Sequence, residues 1–451
     1  MVRLRHWSLR TAAAVLGCTG ALWWTGCATH ADKILPASQQ ATVGNYEGAV
    51  AALNGVLRVD SASELPRKWG ANRALAALDR AVLLQALGRY EDAARDMSAA
   101  EERIELIDLT KDPVGSLAKY LYSDSARAYR APPSERLALN AVNLLNYLAR
   151  GDLDGAAVEA RRFQTMREFL DSESIDDHGV VPFGAYLAGF VFEHLGEGDR
   201  ALRYYDDALE AGPLPSLARP AARLARAFPY RGTHLEGLIS TAAGPGQAAH
   251  DAELLVVLSL GRVSHKVAER IPLGAAVGIA GTYLSGDTDW LKYGATKVVV
   301  YPELVYAPST LGAPSVVVDG RDVSLDLLVD LEEVVRAEYD QLKPQIIAAA
   351  ITRMAARAAV AEGLRAAGKQ ESNVLGDVLA IAIEGALVGA DRPDTRSWIM
   401  MPGRILAARV PVSAGDHEVE VRFDYAPEAT RRSTIRVDTG GYRAIVVTEP
   451  R

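Results

Sequence analysis

Leu87-Gly-Arg-Tyr-Glu-Asp-Ala93 and Leu195-Gly-Glu-Gly-Asp-Arg-Ala201 are two versions of one turn, and reading it decides the fold of the first half of the chain. A glycine closes one helix at positive φ, and a large residue two positions on packs in the elbow. An alanine five positions on lets the next helix lie close to its neighbour. The pattern occurs as Gly44-Tyr46-Ala49, Gly88-Tyr90-Ala93 and Gly151-Leu153-Ala156. A fourth copy, Gly196-Gly198-Ala201, keeps the small residues and lacks the aromatic. Around these turns, from about residue 38 to 230, Ala- and Leu-rich segments carry apolar residues at helical spacing, with Gly or Pro at the joints.

These phrases, the second running on through Tyr204-Tyr205-Asp-Asp-Ala208-Leu209, resemble tetratricopeptide repeats over about half of the chain. The resemblance implies an all-α helical repeat half whose concave face binds a peptide or another protein. The spacing departs from the family: starts at 44, 88, 151 and 196 give intervals of 44, 63 and 45, against a regular period of about 34. Longer helices or inserted segments must interrupt the stack, or the half is an irregular helical bundle. Tyr120, Tyr122, Tyr129 and Tyr147 supply aromatics for a groove, although at helical spacing core packing is the plainer reading.

The chain opens with a different signal. Arg3, Arg5 and Arg10 form a positive region, Ala12 to Trp24 an apolar one, and Gly26 precedes Cys27. That is the layout of an export signal with a lipid-modified cysteine, so residues 1–27 are expected to be a lipoprotein signal peptide and Cys27 the lipidation site. Cys18 after Val15-Leu16-Gly17 is the competing site, but it leaves a short apolar region. The apolar span is also well short of the roughly 20 residues that cross a bilayer. No apolar run of that length follows, which predicts a soluble body tethered through lipid alone. Both cysteines lie in the first 27 residues, so no disulfide staples the exported part. Formal charge is −8, and loss of the three leader arginines leaves 46 cationic against 57 acidic side chains, or −11. So acidic a protein is a poor candidate for nucleic acid.

Arg231 to Gln247 is glycine-rich and reads as a linker, after which the pattern changes. Glu253 to Leu260, Lys297 to Tyr301 and Ser315 to Asp319 are strand-like, and Asp319-Gly320 marks a hairpin turn. Leu325 to Ala367 carries Val335, Tyr339, Leu342, Ile346, Ile347, Ile351 and Met354 on one helical face, with Pro344 expected to kink or split it. Asn373 to Ala390 reads as a second, apolar, buried helix. Ile405 to Val412, Glu418 to Tyr425, Ser433 to Val437 and Tyr442 to Val447 alternate as strands and predict a small terminal β-sandwich. The expected organisation is a helical domain over 28–230, a linker over 231–247, an α+β domain over 248–392 and a β module over 393–451.

Catalytic chemistry leaves little trace. Zinc-protease helices, Gly-x4-Gly-Lys loops, paired-cysteine sites and Gly-x-Ser-x-Gly elbows are missing from the sequence. The eight histidines are scattered, and Asp176-Asp177-His178 reads as a solvated loop. Gly274 to Gly281 fails the dinucleotide pattern and reads as a flexible loop. No metal or cofactor is expected. Arg262, His265 and Lys266 form a basic cluster after a strand, suited to an anionic polymer or acidic partner unless it is a solvated strand exit. Arg396 and Trp398 suit an interface hot spot or an internal latch, with the latch the plainer role.

The order of leader, helical repeats, Leu-rich strand followed by Arg262 to Leu273, long helix and Asp394-Thr-Arg-Ser-Trp398 before terminal strands resembles an uncharacterised family of bacterial surface lipoproteins. The resemblance implies a non-enzymatic envelope protein. Ala28, not Asp, follows Cys27, which implies the outer membrane, facing the periplasm or displayed on the cell surface. The expected function is a protein-binding scaffold in envelope or cell-wall assembly, with other envelope proteins or peptides as partners. A secreted polysaccharide-active or other hydrolytic enzyme with a β accessory module is the alternative, and would need carboxylates from the second half in one cleft.

Overall fold

The computed structural model describes residues 30–70, 72–106, 129–173, 175, 179–242, 252–284, 297–368 and 393–451. The expected signal peptide with Cys18 and Cys27, Tyr120, Tyr122, Asp176 to His178 and the Asn373 to Ala390 segment lie outside these residues.

Helices fill the first half: α1 (His30–Thr42), α2 (Tyr46–Leu57), α3 (Arg73–Ala86), α4 (Tyr90–Glu101), α5 (Pro133–Ala149), α6 (Leu153–Ser172), α7 (Val181–His194) and α8 (Gly198–Ala208). They pack as consecutive hairpins, and each hairpin bends at one of the four expected glycines. Gly44, Gly88, Gly151 and Gly196 have φ of +75°, +72°, +71° and +79°. The residue after each glycine donates its N–H five residues back, as Arg89 does to Leu84 at 2.8 Å and Asp152 to Tyr147 at 2.9 Å. This is a Schellman closure, which needs the left-handed conformation that glycine adopts without a Cβ penalty. Ala49, Ala93, Ala156 and Ala201 are fully buried where the second helix of each hairpin meets its neighbours. In the fourth hairpin, a Cβ on Gly198 would sit 2.2 Å from the Phe228 ring, so an aromatic from elsewhere occupies the elbow.

A 3₁₀ turn (Pro215–Leu217), α9 (Ala218–Ala227) and α10 (Leu235–Ala242) follow. The linker expected over 231–247 therefore contains a helix. Asp206 accepts from the N–H groups of His234 and Leu235 at 2.8 and 3.1 Å, and Leu235 is buried, which fixes the start of α10. Two very short strands, β1 (Glu105–Leu106) and β2 (Arg130–Ala131), pair in parallel beside the helices.

The second half contains β3 (Ala252–Leu260), β4 (His265–Pro272), α11 (Leu273–Ala280), β5 (Val298–Val305), β6 (Pro314–Val318), β7 (Arg321–Val323), β8 (Asp326–Asp330), α12 (Leu331–Gly368), β9 (Arg404–Val412), β10 (Gly415–Phe423), β11 (Arg431–Val437) and β12 (Tyr442–Glu449). Gly274 to Gly281, expected as a loop, forms helix α11 directly after β4, with Gly281 closing it at φ +50°. Residues 326–330, expected as the first turn of the long helix, form β8. Pro344 lies inside one continuous helix and does not split it. The Asp319-Gly320 hairpin turn is present, with φ of +48° and +77° between β6 and β7.

Two four-stranded sheets, ordered β12-β3-β9-β8 and β11-β10-β6-β7, share a core built from Leu254, Val256 and Leu258 of one and Val316, Val318, Val419 and Val421 of the other. The strands after residue 393 do not close a sandwich of their own, because β9 and β12 flank β3 while β10 and β11 extend from β6. The reason lies in β3. Leu254, Val256 and Leu258 face the second sheet, whereas Leu255 and Val257 join the helical core. A strand apolar on both faces needs a covering layer on each side. The result is three layers, helices on sheet on sheet, with α3, α5 and α7 buried along nearly their whole length. The β4–β5 pair, α11 and α12 form a separate small core around Tyr301, Tyr339 and Ile347.

Candidate functional site

The inner face of the helices, where a repeat protein would hold a ligand, is occupied by the chain's own β12 and by residues 398–401. The elbow tyrosines do more than pack: the Tyr90 hydroxyl donates to the Val446 carbonyl at 2.9 Å, and the Tyr46 hydroxyl donates to the Glu449 carboxylate. Thr448 donates to Gln85 at 2.8 Å, and Gln85 in turn donates to Asn146 at 3.0 Å. Further along, the Met400 N–H donates to Asp79 Oδ1 at 2.8 Å, and the Trp398 N–H to Glu135 Oε1 at 3.3 Å.

The two clusters singled out in the sequence meet in this seam. Val263 donates to the Met401 carbonyl at 3.0 Å, which lays the 262–266 segment against 398–401. Arg262 is 8% exposed and donates to Ser38 Oγ at 2.6 Å and Thr42 Oγ1 at 2.7 Å, both on α1. Lys266 is buried, and its charge acts on Glu135. His265 is half-buried at the start of β4, its pKa lowered by burial and by Arg262. Arg396 pairs with Asp394 at 2.6 Å and lies 5.7 Å from the Tyr129 ring centroid. Trp398 is fully enclosed. Apart from the half-buried His265, these candidates are buried inside the fold. The basic cluster expected to meet an anionic polymer is turned inward, where its charges face Asp79, Glu135 and α1. Tyr129 is buried and donates to Glu135 at 2.7 Å, and Tyr147 is partly buried in the same core.

Sequence reasoning missed the acids of the seam. Burial pushes the Asp79 carboxyl up to about 8, opposed mainly by the Met400 N–H. Glu135 is raised by burial and held back by Lys266. Burial takes His30 down to about 3, and neither ring nitrogen has a hydrogen-bond partner among the described residues. Asp79 Oδ2, Ser397 Oγ and Trp398 Nε1 likewise lack partners among these residues. A second buried group joins the same layers: Arg409 on β9 donates to Glu193 of α7 at 2.8 Å, to Tyr205 of α8 at 2.7 Å and to Glu253 of β3 at 2.6 Å. Glu253 is held down to about 2, its burial outweighed by Arg409 and His194. Charged residues inside otherwise apolar helical stretches, Ala-Leu-Asp79-Arg80-Ala-Val and Phe-Val-Phe-Glu193, were the available signal.

Chemically, a neutral Asp79 carboxyl at pH 7 can donate one proton or hydrogen bond. Its neighbours are protein groups, however, and the arrangement tethers layers to one another. No group of three or more His, Cys, Asp or Glu among the described residues is placed to hold a metal ion. No helix of the described residues is long and apolar enough to cross a membrane. No protein-family model matches this chain, and no curated protein matches it.

Proposed function

We propose that the protein is a lipid-tethered bacterial envelope lipoprotein, anchored through Cys27 at the outer membrane, whose helical half is a tetratricopeptide-like scaffold for other envelope proteins or peptides. One observation carries the binding part of this reading. With the inner helical face filled by β12 and residues 398–401, the opposite side of the helical layer keeps an open groove of about 550 Å³ between α4, α5 and α6. There the Glu101 carboxylate gathers Arg136, Asn140 and Arg162 at 2.9 to 3.1 Å, beside an exposed Val158. A preset polar cluster next to an exposed apolar side chain suits a peptide segment with both kinds of group.

A photo-crosslinking residue at Val158 in intact cells should capture a defined envelope protein that the same residue at the equally exposed Val305 does not. Equal capture at both positions would overturn the scaffold reading. The tether is tested separately: palmitate label should persist in Cys18→Ala and vanish in Cys27→Ala, and the reverse would move the anchor to Cys18.

A further inference from the structure

Lys33 on α1, Arg58 just past α2, Lys68 in the following loop and Arg73 at the start of α3 line one groove of about 670 Å³, together with the half-buried Trp69. Among the described residues no carboxylate lines it. The side chains of Lys33, Arg58 and Lys68 make no hydrogen bond or ion pair with another described residue. Several arginines elsewhere on these helices are matched with acids, as Arg89 and Arg95 with Asp92, or Arg162 with Glu101 and Glu159. Arg73 donates to the Lys68 carbonyl, and on a chain with 57 acidic side chains against 49 basic ones, four cations lining one groove with no acid among its described lining residues leave a local positive potential that an anion would relieve.

Two further features belong to the same groove. Arg58 has φ +59° at a helix end that glycine usually takes. A side chain in that conformation costs about 1 to 2 kcal/mol, so strain accompanies a guanidinium on the groove rim. The Asn72 side chain does not cap α3, and its first turn holds no acid, so the positive end of a 14-residue helix opens at the groove. Arg103, itself paired with Glu102 at 2.9 Å, stacks 4.3 Å from the Trp69 ring centroid and holds the tryptophan in place.

We propose that this groove is an anion site for a phosphate-bearing group, supplied by a phospholipid headgroup or by a free phosphosugar. A phosphoryl group presents several acceptor oxygens and up to two charges, matching several separate cations and a helix terminus. The headgroup source rests on the tethered reading: Lys33 stands six residues after Cys27, the last three of those steps inside α1, a reach of roughly 15 Å. The phosphosugar source does not depend on it.

The test uses the full chain carrying Cys27→Ser, so that no lipid anchor contributes. Probes are inorganic pyrophosphate, glucose 6-phosphate, and vesicles of phosphatidylglycerol or phosphatidylcholine. A groove variant, Lys33→Gln/Arg58→Gln/Lys68→Gln, is compared with Arg321→Gln/Arg404→Gln/Arg436→Gln, which removes the same charge from exposed strand positions. Melting curves confirm that both fold. The groove variant should lose at least tenfold in affinity while the control stays within twofold. Binding of the soluble phosphates alone assigns the phosphosugar source. Added retention on phosphatidylglycerol but not phosphatidylcholine vesicles assigns the headgroup source. Equal losses in both variants, or no binding of any probe by the parent chain, overturn the site. Palmitate labelling of Cys27 reports on the tether independently of these outcomes.

Discussion

The Arg409 guanidinium of β9 donates to the Glu193 carboxylate of α7 across 2.8 Å, and both side chains are only 2% exposed. This pair, with Glu253, is the charged bolt between the helical layer and the central sheet. Removing one partner of a buried pair leaves an uncompensated charge, typically a loss of about 3 to 5 kcal/mol. Arg409→Met should lower the unfolding free energy in urea by about that much. Adding Glu193→Gln and Glu253→Gln should recover more than half. A loss below about 1 kcal/mol for the single variant would show that the bolt carries no docking energy.

Asp79 makes stability fall as pH rises. In the unfolded chain it ionises near its ordinary value of 3.8, whereas in the folded chain it stays protonated up to about 8. Folding therefore takes up a proton in that window, at a cost that grows by about 1.4 kcal/mol per pH unit and levels off above pH 8. Asp79→Asn keeps an oxygen for the Met400 N–H and removes the ionisation. The variant should gain on the parent by roughly 2 to 3 kcal/mol between pH 5 and pH 7. A pH-independent difference in urea unfolding would rule out this account.

His30 acts in the opposite direction. Its folded-state pKa, about 3, lies below the ordinary 6.5, so its contribution is intact above pH 6.5 and declines as pH falls toward 3. His30→Phe fills the same site without a proton to bind. The melting temperature of the variant should decline less steeply than that of the parent from pH 6.5 to pH 4, and parallel profiles would show that His30 is not buried and neutral.

Two glycines separate backbone strain from packing. A Cβ on Gly88 or on Gly55 would meet no atom within 4 Å, yet Gly88 has φ +72° while Gly55 lies within helix α2. Gly88→Ala should destabilise by about 1 to 2 kcal/mol, whereas Gly55→Ala should stabilise by roughly 0.5 to 1 kcal/mol. Thermal unfolding of both variants gives the comparison, and a shift of the same sign in both would refute the elbow assignment.

The helical turns were legible because their cause is local: a Schellman closure spans six residues, and Gly88-Arg-Tyr90 carries everything it needs. The Asp319-Gly320 turn was legible for the same reason. The seam was not. Glu135 and Trp398 meet across 263 positions, and Asp79 and Met400 across 321. Periodicity tells that a face is buried but not what covers it, so Arg262, held by Ser38 and Thr42, and Lys266, acting on the buried Glu135, read as an open basic cluster.

By itself the sequence determined where the helical hairpins turn, the main helices of the first half and several strands of the second, and that the helical half precedes the mixed one, since propensity, capping and side-chain periodicity act over a few residues. The tertiary structure alone decided that β3 lies between two terminal strands and two layers. It also decided that the elbow tyrosines hold the last strand, and that Lys33, Arg58, Lys68 and Arg73 line one groove beside Trp69. These depend on register and burial among residues hundreds of positions apart, where the free energy comes from desolvating and matching groups that no local pattern brings together.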